Sequence, residues 1–75
     1  DKMAAKVISR DFIEINPGEV IEQVRISEKC LFWKSETTYR KVHGEYFIYH
    51  KERYTAVNRW TTGFDVRSYF NLPIE

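Results

Sequence analysis

Seventy-five residues form one small domain, spanning 1–75, because two cores cut from this length would each be too small to hold together. Hydrophobic residues at 43% and charged residues at 31% exclude a disordered chain, and aromatics at 16% offset the short length with large buried surfaces. The net charge of +1 and pI near 8.1 exclude a strongly basic DNA-binding domain, whose pI typically exceeds about 9.

Residues 1–5 are expected to form a flexible N-terminus. Lys6 to Ile15 is the first expected strand. Val7, Ile13 and Ile15 would share one face, with Ile8 and Phe12 on the other; the parity changes within the run, which calls for a bulge or for burial on both faces. Asn16-Pro17-Gly18-Glu19 then reads in two ways. Pro17 and Gly18 suit the two central positions of a type II turn, with Gly18 at positive φ. The same residues suit a helix start, with Asn16 as N-cap, Pro17 at the first helical position and Glu19 two residues on.

Val20 to Ile26 favours the strand, placing Val20, Val24 and Ile26 on one face with Glu22 as the exception. The helix alternative, starting at Pro17, would change the class from mainly β to α+β. Ser27-Glu28-Lys29 reads as a polar break, after which Leu31-Phe32-Trp33 restarts a strand and completes a hairpin. Lys34 to Thr38 continues it, Tyr39 to Gly44 crosses over, and Gly44 is the turn residue.

Glu45 to Trp60 organises the chain. It holds five aromatics and neither Gly nor Pro, which fits a pleated, half-buried strand. Sixteen extended residues would reach roughly 50 Å, whereas a compact domain of this length has a radius of gyration near 11 Å, so the stretch must turn; Lys51-Glu52-Arg53 is the expected corner. Beyond Gly63, a short helix with Thr62 as N-cap would bury Val66, Tyr69 and Phe70 and stop at Asn71 before Pro73, packing over an open end of the sheet. The fold class is therefore mainly β: a small antiparallel meander, or partly closed barrel, of four or five strands with a short C-terminal helix. The connections are too short for parallel crossovers.

No motif for catalysis is present. Cys30 with His43 or His50 lacks the flanking pattern of a cysteine nucleophile, and a small buried hydrophobe at a strand end is the plainer reading. One cysteine forms no internal disulfide, which suits a reducing compartment. The two histidines fall seven apart, on opposite faces of a strand, and no metal-ligand spacing occurs. Paired carboxylates such as Asp11 and Glu14 read as solvated charges, and the three glycines form no phosphate loop. The expectation is a non-enzymatic protein without cofactor or metal. No run approaches the roughly eighteen apolar residues of a membrane span, so no membrane partner and a cytoplasmic location are expected.

Binding has positive signals. From Tyr39 to Trp60, six aromatics interleave with five Arg or Lys residues against two Glu, a net +3, while the rest of the chain is net −2. Single-stranded nucleic-acid binders join a basic groove for the backbone with rings for the bases. Tyr46, Tyr49, Tyr54 and Trp60 are the candidate stacking residues, and Arg40, Lys41, Lys51, Arg53 and Arg59 the candidate phosphate contacts. The expected role is a nucleic-acid-binding regulator. The alternative is a protein-interaction module or inhibitor occluding a larger partner, because Tyr, Trp and Arg also dominate interface hot spots. An uncovered edge strand could in addition pair with a second copy of the chain. Against both stands the need of a small core for large side chains, which these rings could fill instead.

Overall fold

The computed structural model of the chain describes residues 4–57 and 64–74. Five strands, β1 (Ala4–Asn16), β2 (Glu19–Cys30), β3 (Trp33–Val42), β4 (Glu45–His50) and β5 (Arg53–Ala56), form one antiparallel sheet in sequential order. Helix α1 (Phe64–Tyr69) follows. The protein is a mainly β meander with an open sheet. Strand β1 begins at Ala4, inside the stretch expected as a flexible tail.

Each connection between consecutive strands is a two-residue turn, and backbone chirality explains which were legible. Pro17-Gly18 links Asn16 to its partner Glu19, with Gly18 at φ 80°, so the turn reading holds and the helix starting at Pro17 does not form. Asn16 Nδ2 donates to Glu19 Oε1 at 2.9 Å, and the Gly18 backbone N–H donates to Glu14 Oε2 at 2.7 Å, fastening the turn from both sides. His43-Gly44 joins Val42 to Glu45 with φ of 51° and 79°, and Lys51-Glu52 joins His50 to Arg53 with φ of 52° and 65°. Positive φ at both central residues is the mark of a type I′ turn, whose twist matches the flanking strands. The corner expected at 51–53 is therefore a tight hairpin.

The hairpin expected at Ser27-Glu28-Lys29 is corrected. Those residues continue β2, pairing with Glu36, Ser35 and Lys34. The turn is Leu31-Phe32, with Leu31 at φ 44°. Tyr39–Val42 likewise belongs to β3 rather than to a crossing segment.

In β1 the register slips between Val7 and Ser9 and again between Glu14 and Asn16, so Ile8 and Ile15 are the extra residues. The slip at Ile8 reverses the parity downstream. Val7 consequently shares a face with Arg10 and Phe12, and Ile13 faces the other way with its partner Ile21, which corrects the expected Val7–Ile13–Ile15 face.

The main core cluster lies on one face, where Val7, Val24, Ile26 and Tyr39 meet Val66 and Phe70, with Tyr46, Ile48, Val57 and Tyr69 packed around them, while Ile21 is buried on the other face. Helix α1 is short because it is held by these contacts rather than by its own length. Asn71 ends it: its backbone N–H donates to the Ser68 carbonyl at 2.9 Å, and its side chain donates to the Arg67 carbonyl at 3.4 Å. The Arg10 guanidinium then ties the tail to β1 by donating to the carbonyls of Tyr69 and Leu72, and Ile74 bridges Val7. The expected N-cap Thr62 lies outside the described residues. On its outer side, β1 beyond Ile8 has no strand beside it among the described residues, and Phe12 there is 73% exposed.

Candidate functional site

Residues directly opposite one another across antiparallel strands point to the same face. The helix-covered face carries Val24, Tyr39 and Ile48 in one row and Glu22, Lys41 and Tyr46 in the next. The uncovered face carries Asp11, Gln23, Arg40, Phe47 and Ala56 in one row, and Tyr49 opposite Tyr54 in its neighbour.

The sheet therefore divides the residues expected to form one site. Arg40, Tyr49 and Tyr54 come together on the uncovered face. Tyr46 is turned into the core, its ring 5.4 Å from that of Phe70, and Lys41 lies over the Tyr46 ring at 5.8 Å. Lys51 sits in the β4–β5 turn, and Arg53, opposite His50, is exposed beside it. Arg59 and Trp60 lie outside the described residues. Of the four candidate rings, Tyr49 is exposed, while Tyr46 and Tyr54 are half-buried. Phe47, opposite Arg40, is also half-buried. Part of the segment thus serves as core and part as surface.

The uncovered cluster is built from three strands. Arg40 Nε donates to Gln23 Oε1 at 2.9 Å, which fixes the guanidinium across β2 and β3. Its Cζ then lies 4.0 Å from the centre of the Tyr54 ring, a cation–π stack. Tyr54 donates its hydroxyl to the same Gln23 Oε1 at 3.4 Å, and its ring meets Tyr49 at 5.0 Å with a 55° tilt. Such a stack contributes about 0.5–1 kcal/mol at an exposed site, and the tilted ring pair about 0.5–1.5 kcal/mol. Among the described residues Arg40 forms no ion pair, so its charge remains available to an anion. Arg25 on the same face is instead occupied by Glu36 at 2.7 Å.

Gln23 was not legible as a site residue, since nothing in Glu22-Gln23-Val24 distinguishes an orienting amide from an ordinary polar position. The tip of the β2–β3 hairpin was also missed. Leu31, Phe32 and Trp33 are 64%, 98% and 50% exposed there, although their composition reads as core strand. The missing signal is a turn residue: neither Gly, Asn nor Pro marks the bend. Cys30 closes β2, and its side chain lies outside the described part of the structure.

Among the described residues no three His, Cys, Asp or Glu side chains gather in a group able to hold a metal ion, and no helix is long and apolar enough to cross a membrane. Comparison of the chain with protein-family models, with curated proteins and with solved structures gives no match.

Proposed function

We propose that this protein is a non-enzymatic module that holds single-stranded nucleic acid on the uncovered face of its sheet. The observation that carries the reading is the convergence of Arg40, Tyr49 and Tyr54 opposite the helix, with the guanidinium carbon 4.0 Å from the centre of the Tyr54 ring. A sheet with helical cover behind it and aromatic rings in front is a workable platform for unstacked bases. Tyr49, the exposed ring, stacks on a base, and Tyr54 braces it from the side. Arg40 meets a phosphate: its Nε is committed to Gln23, which leaves the terminal N–H groups as the donors to it. Lys6 adds positive charge on the same face through its pairing with Ser27.

The test is titration of a labelled single-stranded oligonucleotide at two salt concentrations. Affinity falls as salt rises, through release of counterions from the phosphates. Arg40→Ala weakens binding across sequences and lowers the salt slope by about one. Absence of binding at low salt removes the reading. It would leave the same Tyr and Arg cluster to a protein partner, the alternative those residue types also serve.

A further inference from the structure

We propose that the Leu31-Phe32-Trp33 tip is a docking point for an anionic lipid bilayer, a site separate from the uncovered sheet face and independent of the reading above. The tip is the most exposed apolar feature of the described residues. Phe32 is 98% exposed at the apex, between Leu31 and Trp33. Its backbone is held in an unfavourable form: Leu31 adopts φ 44° at the first central position of the turn, where hairpins of this kind place glycine. A bulky apolar side chain therefore stands where the fold itself would be better served by none.

Charge identifies the occupant. Lys29 and Lys34 face one another directly across β2 and β3, just behind the apolar apex. Like charges in that arrangement repel, and among the described residues neither lysine has an acidic partner. A surface of negative headgroups relieves the repulsion, while the long lysine stems let the ammonium groups reach the phosphates. The dimensions agree. Phe32 leads Lys34 by two residues, about 7 Å along a strand, and apolar groups that dock at an interface enter by about 5–10 Å. With the lysines at the phosphates, Phe32 reaches the top of the acyl chains and Trp33 lies at headgroup depth, where tryptophan is enriched. A chain with no apolar span can still dock in this way, so the proposal departs from the expectation of no membrane partner, which rested on the lack of a crossing span.

Cosedimentation of the full chain with vesicles tests this. Binding is expected to phosphatidylcholine–phosphatidylserine vesicles, weaker binding to phosphatidylcholine alone, and a decline as salt rises. Phe32→Ser lowers partitioning by about tenfold or more, from the apolar area no longer inserted. Lys29→Glu with Lys34→Glu abolishes the preference for the anionic lipid. Leu31→Gly guards against mere misfolding, because it raises the melting temperature by relieving the backbone while lowering partitioning. Failure to bind either vesicle, or equal partitioning of Phe32→Ser, overturns the proposal. A Phe32→Ser variant that keeps vesicle binding but loses oligonucleotide affinity overturns it in favour of nucleic acid at the tip.

Discussion

Glu19 shows how one side chain joins two turns. Its carboxylate accepts from Asn16 in its own turn and lies 3.2 Å from His43 Nε2 in the turn between β3 and β4. The Asn16 hydrogen bond first, and then His43, hold the Glu19 carboxyl below its ordinary value of 4.5. A carboxyl with a depressed folded-state value binds its proton less readily folded than unfolded. Its contribution to stability is therefore present above about pH 4.5 and is lost as pH falls through the depressed value. Its side chain is 33% exposed, so solvent keeps the effect small. The expected outcome is that the stability gap between the parent and Glu19→Gln narrows as chemical denaturation is repeated below that pH. A gap independent of pH would show that the charge at Glu19 contributes nothing.

At the scale of elements, the four turns decide the fold and also decide what the sequence could reveal. Pro17-Gly18 and Gly44 were legible because only such residues take these backbone angles at low cost. Lys51-Glu52 carries no such mark, and it emerged only from the length of Glu45–Trp60. Leu31-Phe32 carries none either and lies inside an apolar run, so the bend was placed three residues early. The bulge at Ile8 was signalled by the parity change in β1, but its position was not, and the position decides which face Val7 shares. The helix was legible through Val66, Tyr69 and Phe70. Which face of the sheet it covers was not, because alternation separates Tyr46 from Tyr49 without saying which points inward.

The β4–β5 turn yields a prediction of its own. Lys51 and Glu52 both occupy the left-handed region, where a residue other than Gly or Asn costs about 1–2 kcal/mol. Replacing them together, Lys51→Asn and Glu52→Gly, gives the favoured type I′ pair and is expected to stabilise the protein by about 1 kcal/mol. For a domain of this size that is a rise of about 4–8 °C in thermal melting. A lower melting temperature would show that the native side chains make contacts outweighing the backbone strain.

For the whole molecule, the decisive property is asymmetry between the two faces of one sheet. The radius of gyration is 12.6 Å and the longest extent 42 Å, more drawn out than the compact value expected for this length, because the β1–β2–β3 strands run on beyond the core. The helix covers only the middle of one face. Among the described residues no helix covers the other face, and the segment that carries the positive bias of the chain delivers Arg40, Tyr49 and Tyr54 to it and Tyr46 to the core. Charge and aromatic content single out the segment, but its division into surface and core required the register of five strands.

The central claim is that nucleic acid occupies the open face alone. The most direct measurement is amide chemical-shift mapping of the protein during titration with a single-stranded oligonucleotide, repeated with Tyr49→Ala. The account predicts shifts concentrated at Gln23, Arg40, Phe47, Tyr49 and Tyr54, with affinity in Tyr49→Ala reduced by about 5- to 150-fold, the loss of one stacked base. Shifts centred on Lys41, Tyr46 and the helix, or an unchanged affinity in Tyr49→Ala, would contradict it.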